Sequence, residues 1–284
     1  MENLENKKDL TNENIVHICK NGIQYLQFRK LLEYKDILTH AYSIGKENFR
    51  TNKGKDKPID DIEYKNSMYN YRKLCDAIGC NFNNLIKPIQ RHTNQVKIVE
   101  KKINKDKPDI NLIQYEDLDG IITSKKDLVL ASTNADCILF LFFDPIKKVI
   151  ANVHSGWRGT SMQISVETIK KMKTLGCMPE NIICCIMPSI RKCHFEVKED
   201  VKNIFYNQCR NMKELNEIIT KDDKGETWFV DTVKINQILL KKEGLKEEKI
   251  IDSGICSVCN SDLIHSYRVE KQNFSLATAI ISLI

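Results

Sequence analysis

Three side chains of this sequence are of the kind that share one metal ion: His92 in Gln90-Arg91-His92, Cys137 in Ser132-Thr-Asn-Ala-Asp-Cys137, and His154 at the head of His154-Ser-Gly-Trp-Arg-Gly159. One thiol and two imidazoles are the donors a borderline-soft ion such as zinc prefers, and three protein ligands leave a fourth position open for water or substrate. Their spacing is too wide for a zinc finger and suits ligands brought together from neighbouring strand ends. Spacing alone also admits two other readings. Cys137 can be a buried thiol opening an apolar strand, or a nucleophile with His154 as its base and Asp136 or Asn134 as the orienting group. Gly156 and Gly159 weigh toward a ligand site, because they leave room for backbone to approach a ligand while Arg158 offers a two-pronged donor to phosphate or carboxylate.

The elements around these residues read as strands. Gly120–Thr123, Leu128–Ser132, Cys137–Phe143 and Val149–Val153 are short apolar runs rich in β-branched and aromatic residues, preceded by an alternating Gln95–Glu100. Thr160 is expected to cap a helix carrying Ile164, Ile169 and Met172 inward, which makes the His-Ser-Gly-Trp-Arg-Gly segment a strand-to-helix turn with backbone N–H groups aimed at an anion. Further strands are expected at Ile23–Phe28, Ile182–Met187 and the apolar tail Ala277–Ile284. Helices are expected through Tyr69, Leu74 and Ile78 up to Gly79, at Glu199–Cys209 and at Val233–Lys242. Polar loops are expected between Thr51 and Tyr64 and over Lys101–Asp109. Order is expected to begin near residue 15, with residues 1–20 a flexible segment and 21–284 a single domain.

Composition narrows the class. The chain has 284 residues, 42% of them hydrophobic, enough for a sizeable core. The net charge of +6 comes from scattered lysines without a basic block, which argues against nucleic acid as a partner. The first residues, Met1-Glu-Asn-Leu-Glu-Asn-Lys-Lys, form no signal peptide, and no long uncharged apolar run suits a membrane span. A cytoplasmic protein with its 11 cysteines reduced is therefore expected. Cys256-Ser-Val-Cys259 has redox or zinc-pair spacing, but no second pair stands at finger distance, so a structural role is expected. Cys184-Cys185 reads as core and His17 as structural, while His40 and His265 are pocket candidates.

These motifs resemble a known family. Gln90-Arg91-His92, Asp119-Gly-Ile-Ile-Thr123, Thr133-Asn-Ala-Asp-Cys137, Asp144-Pro145, His154-Ser-Gly-Trp-Arg-Gly159, Pro188-Ser-Ile190 with Glu196-Val197, and Ser266-Tyr-Arg268 follow the order and approximate spacing of the laccase-domain proteins, once called multicopper polyphenol oxidases. The resemblance covers residues 20 to 284. It implies an α/β domain with a central mixed β-sheet flanked by helices, and a zinc ion at His92, Cys137 and His154. It also implies phosphorolysis of adenosine, inosine, guanosine or methylthioadenosine, with deamination of adenosine as a further activity; purine nucleoside and phosphate would be the partners. The older label implies copper and a polyphenol oxidase, but six histidines spread along the chain cannot build a multicopper array.

Under this resemblance Arg158, Arg268 and the helix start after Gly159 are expected to hold phosphate, and Asp136 to orient the site. Gln90, Gly156, Trp157, Gly159 and Tyr267 are expected to contact substrate or phosphate. The chain departs from the family pattern at Met187, at His194-Phe195, and at Phe274-Ser275, where a Gly-Arg pair is usual. The last departure removes an expected substrate-contacting arginine and favours, as a rival, a non-catalytic zinc- or nucleoside-binding protein.

Overall fold

The computed structural model describes residues 8–51, 61–100 and 117–284. The loop expected over Lys101–Asp109 lies outside these residues, as do residues 52–60 of the loop expected before Tyr64. Two six-stranded mixed sheets are stacked face to face. The first runs β1 (Ile15–Lys20), β2 (Ile23–Phe28), β3 (Leu38–Ile44), β15 (Ala277–Leu283), β7 (Val129–Asn134), β4 (Leu85–Ile86). The second runs β14 (Ile250–Asp252), β10 (Ile183–Ile186), β8 (Ile138–Asp144), β9 (Val149–Ser155), β6 (Gly120–Thr123), β5 (Val96–Ile98). The mixed α/β architecture is the expected one, but the single central sheet is in fact two.

The apolar strands explain the layering. A strand buried on one face alternates; β8, Ile-Leu-Phe-Leu-Phe-Phe-Asp, is buried throughout because both its faces are covered. Leu139, Leu141 and Phe143 join Leu130, Ala279 and Ile281 of the first sheet in the core between sheets. Ile138, Phe140 and Phe142 turn the other way, onto α4 (Ile164–Thr174) and α7 (Thr232–Lys242). The outer face of the first sheet, with Tyr25, Ala131 and Ile280, is covered by Tyr71 and Leu74 of α2 (Asp61–Ile78). Four layers result. Asn152 of β9, with no exposed surface, ties the sheets together by donating to the carbonyls of Leu130 (3.0 Å) and Ala279 (2.8 Å) and pairing with the Ser132 hydroxyl. A buried amide is stable only when so satisfied.

The remaining elements wall the open end of this sandwich. A small sheet of β11 (Glu196–Val197), β13 (Trp228–Val230) and β12 (Ile219–Lys221) packs with α5 (Glu199–Cys209), α6 (Leu215–Ile218) and α7. Short helices α1 (Arg29–Leu32), α3 (Trp157–Ser161) and α8 (Tyr267–Glu270) complete the chain. Ile15–Lys20, inside the segment expected to be flexible, forms β1 and joins the first sheet through six register pairs with β2. The C-terminal strand is central, between β3 and β7. No helix among the described residues is long and apolar enough to cross a membrane.

Candidate active site

Hairpin geometry sets two of the three candidate ligands side by side. Cys137 immediately precedes β8, and His154 is the next-to-last residue of β9, paired with Leu139 across the ladder. The chain enters β8 through Asp136, whose φ of 85° makes the sharp turn. Asn134 braces that turn by donating to the carbonyls of Cys137 (2.5 Å) and Pro188 (3.1 Å) while Tyr42 donates to its amide oxygen. Asp136 accepts from the Ser257 hydroxyl (2.6 Å) and the Arg268 N–H (2.7 Å), so both carboxylate oxygens hold neighbouring loops in place.

The third candidate ligand, His92, arrives on a loop that one carboxylate organises. Asp119, fully buried before β6, accepts from the N–H groups of Arg91 (3.2 Å), His92 (3.0 Å) and Thr93 (2.6 Å) and from the Thr93 hydroxyl (2.8 Å). These bonds hold His92 in a left-handed conformation, φ 61°, which costs about 1 kcal/mol for a residue with a Cβ. The same carboxylate lies 2.8 Å from His154 Nδ1. That contact fixes the tautomer and leaves Nε2 for an ion, the usual carboxylate–histidine arrangement behind a metal. Asp119 is absent from the site expected from the sequence, although it opens one of the motifs that carry the family resemblance and stands directly before an apolar strand.

The donor atoms of His92, Cys137 and His154 lie within 4.8 Å of one another. Cys137 Sγ stands 3.8 Å from His92 Nε2, close to the ~3.5 Å edge of a tetrahedron with metal–sulfur bonds of ~2.3 Å and metal–nitrogen bonds of ~2.0 Å. Gly156 is what permits this approach: a Cβ there would meet His92 Cδ2 at 2.6 Å and Cys137 Sγ at 3.2 Å. Burial alone would push the Cys137 thiol up, but the neighbouring charge and hydrogen bonds of His154 and His92 bring it down to about 6. Burial disfavours charge on His154, yet Cys137 and Asp119 raise it to about 9. Burial likewise opposes charge on Asp119, but His154 and Thr93 hold it down to about 2. The thiolate, the form that binds metal, is thus favoured at neutral pH. The residues fit a metal ion.

This group opens into a cavity of about 880 Å³, lined by five cationic side chains, Arg50, Lys87, Arg158, Lys198 and Arg268, against three acidic ones, Asp136, Glu196 and Asp200. An anionic ligand is therefore favoured. Trp157, Phe195 and Tyr267 supply apolar surface, with Arg158 stacked on Trp157 at 4.4 Å. Arg50 and Lys87 were not singled out in the sequence. Lys87 is only 3% exposed, donates to Thr51 Oγ1 at 3.1 Å, and has no carboxylate partner among the described residues. Arg50 stacks on the Phe274 ring at 4.1 Å and donates to the Phe274 carbonyl. A guanidinium from a segment distant in sequence thus stands against Phe274, in the lining of the cavity.

Gln90, Tyr267 and Arg268 line the cavity, whereas the segment around Gly159 departs from its expected form. The helix expected after Gly159 begins instead at Trp157, capped by Gly156, and breaks at Gln163 in left-handed conformation before α4. Gly159 lies inside α3, packed so that a Cβ would stand 3.3 Å from Ser155 Oγ, and Thr160 bonds Ser155 and Asn236. The Gln90 amide is engaged by Thr133, donating to its carbonyl (2.7 Å) and accepting from its N–H (2.8 Å). Tyr267 is 56% exposed at the rim, and the Arg268 side chain reaches the Glu196 carbonyl at 3.3 Å. Of the two pocket candidates, His40 is buried and accepts from the Phe28 N–H, and His265 bonds Glu270 and the Glu47 carbonyl; neither lines the cavity.

The profile of the family described as multi-copper polyphenol oxidoreductase laccase matches residues 51–283. The chain belongs to this laccase family. Among relatives of the laccase-family chain, the mouse protein named purine nucleoside phosphorylase LACC1 is 27% identical over 219 residues, covering 75% of this chain and 47% of the relative. The chain thus spans about half the length of that mammalian relative. A protein named adenosine deaminase RL5, from an unknown prokaryotic organism, is 26% identical over 195 residues, 69% of this chain and 73% of the relative. The crystal structure of Bacillus licheniformis YfiH superposes with a TM-score of 0.78 at 20% identity, covering 92% of this chain and 96% of that one. The laccase-family fold is shared.

Proposed function

We propose that this chain is a zinc-dependent purine nucleoside phosphorylase acting on adenosine, inosine, guanosine or methylthioadenosine. The observation that carries the proposal is a candidate metal-ligand trio opening onto the same cavity as a buried lysine that has no carboxylate partner among the described residues. Burying a lone cation is costly, which makes Lys87 a place where an anion stabilises the site. Phosphate is held there by Lys87 and Arg50, with Arg158 and Arg268 nearer the rim. The purine lies against Trp157, Phe195 and Tyr267. In phosphorolysis a phosphate oxygen bonds to the anomeric carbon as the bond to the base nitrogen breaks, and the electron pair leaves with the base. The cationic wall contributes by aligning the phosphate and stabilising charge in the transition state.

Zinc rather than copper suits the histidine inventory. Only His92 and His154 reach the trio; His17, His40 and His265 are bonded elsewhere in the fold, and His194 belongs to a separate thiol group. Four-electron oxidation needs several histidine-rich copper sites, which this arrangement lacks among the described residues. A zinc ion in the trio supplies a Lewis acid that lowers the pKa of water toward neutrality. The open ligand position, together with the relative named adenosine deaminase, supports deamination of adenosine as a second activity. The same reading places the protein in the reducing cytoplasm, in keeping with its 11 free cysteines. Incubation of zinc-replete protein with adenosine and phosphate, with adenine, inosine and ribose 1-phosphate resolved, tests both activities. Absence of every product rejects the proposal.

A further inference from the structure

A second group of soft donors stands apart from the first: Cys193, His194, Cys256 and Cys259, with their ligand atoms within 4.8 Å of one another. Cys193 Sγ lies 3.7 Å from Cys256 Sγ and 4.0 Å from Cys259 Sγ. His194 Nδ1 lies 3.2, 3.6 and 3.5 Å from the sulfurs of Cys193, Cys256 and Cys259. A tetrahedral zinc site with bonds of ~2.3 Å to sulfur and ~2.0 Å to nitrogen has edges of ~3.8 Å between sulfurs and ~3.5 Å between sulfur and nitrogen. The five observed separations lie within about 0.3 Å of that tetrahedron's edges. They are far longer than a disulfide bond of ~2.0 Å, and all three cysteines are free.

The backbone is arranged to hold this geometry. Ser189 and Cys256 form a parallel bridge, reinforced by Ser257 N–H to the Ser189 carbonyl at 3.0 Å. Arg191 donates to the Ile255 carbonyl and makes two bonds to Asp252, at 2.7 and 2.6 Å, which locks the 189–193 segment against 252–257. Main-chain groups of Cys259, Arg191 and Val258 bond to the Cys256 sulfur, and Asn260 closes the Cys-Ser-Val-Cys turn by donating to the Cys256 carbonyl at 2.9 Å. Such N–H contacts and a closed turn are what a metal thiolate needs around it.

We propose that Cys193, His194, Cys256 and Cys259 bind a structural zinc ion, separate from the trio of His92, Cys137 and His154. With four protein ligands the site has no open position, so its role is to staple two segments together. One segment runs on into Phe195, Glu196 and Val197, which line the active cavity. The other carries Ser257, whose hydroxyl holds Asp136 beside Cys137 at 2.6 Å. The ion fixes two walls of the cavity without touching substrate.

Metal analysis of the full chain, purified in reducing buffer with zinc and dialysed, is expected to give two zinc ions per chain. Cys137→Ala, which damages only the trio, retains one; Cys259→Ser, at an exposed position, also loses one. Cobalt(II) added to the Cys137→Ala protein is expected to give the thiolate charge-transfer and tetrahedral d–d absorption of three-sulfur coordination, a readout independent of catalysis and of how Cys259→Ser folds. Zinc should slow modification of Cys193 and Cys259 by a thiol reagent at least ten-fold. Cys137→Ala protein that binds neither zinc nor cobalt, or a Cys193–Cys256 disulfide in the zinc-supplemented wild type, overturns the proposal. Both results are read from metal content and thiol state, so they are distinguishable from failure of the nucleoside assay.

Discussion

Gly156→Ala puts the geometry of the trio under the sharpest strain for the smallest chemical change. The backbone there has φ −69°, allowed to any residue, so the substitution costs nothing in torsion. Its cost is steric. The new methyl would sit 2.6 Å from His92 Cδ2, where ordinary contact begins at 3.4 Å, so the imidazole must retreat by roughly 0.8 Å. Cys137 Sγ at 3.2 Å blocks relief on the other side. Metal bonds tolerate displacements of only ~0.2 Å. His92 therefore leaves the coordination sphere, and the expected loss in zinc affinity is at least the ~10–100-fold seen when supporting groups are removed, since here a ligand itself is displaced. The assay is competition with a chromophoric chelator, run in a Cys259→Ser background so that only the trio is read. Zinc affinity within two-fold of the parent would refute the assignment of His92 as a ligand placed by this glycine.

Asp119→Asn keeps the shape behind His154 but removes the charge, and a ~10–100-fold drop in zinc affinity is expected from the same competition assay. A carboxyl held near 2 instead of 3.8 contributes about 2 kcal/mol of stability above pH 4, lost as pH falls through 2. Denaturant unfolding should accordingly show wild type and Asp119→Asn well separated at pH 7 and converging by pH 2. Lys87→Met tests the phosphate subsite. Burial lowers the lysine from 10.5 to about 8, so its charge destabilises the native state by up to about 3 kcal/mol at neutral pH, and the penalty fades between pH 8 and 10.5 as the folded protein releases the proton. The variant should unfold at a higher temperature than wild type at pH 7 while the KM for phosphate rises at least ten-fold. An unchanged phosphate KM would remove Lys87 from the subsite.

Much of the fold was legible because its strands carry their partners' signature. β2, Ile23–Phe28, and β6, Gly120–Thr123, fall where alternation and apolar runs put them, and α5 spans Glu199–Cys209 as read. Sheet number was not legible. An apolar run such as β8 reports that both faces are covered but not whether by helix or by a second sheet, and Asn152 joins the sheets through carbonyls that no sequence pattern marks. The three residues of the candidate trio were legible as a group because they stood at the ends of apolar strands, and the structure brings their donor atoms within 4.8 Å of one another. Asp119 was harder, since a buried carboxylate differs from a surface one only in the N–H groups that converge on it. Lys87 and Arg50 reach the cavity from loops distant in sequence, and the pairing of Cys256-Ser-Val-Cys259 with Cys193-His194 depends on a bridge between Ser189 and Cys256.

Phosphate-dependent release of free base, followed as zinc is titrated into metal-stripped protein, tests the central claim most directly. Base release is expected to rise with zinc, to require phosphate, and to yield ribose 1-phosphate in equal amount, and Cys137→Ala should show none of it. Full zinc loading without base release, or dioxygen consumption with phenols by copper-loaded protein in its place, would contradict the account.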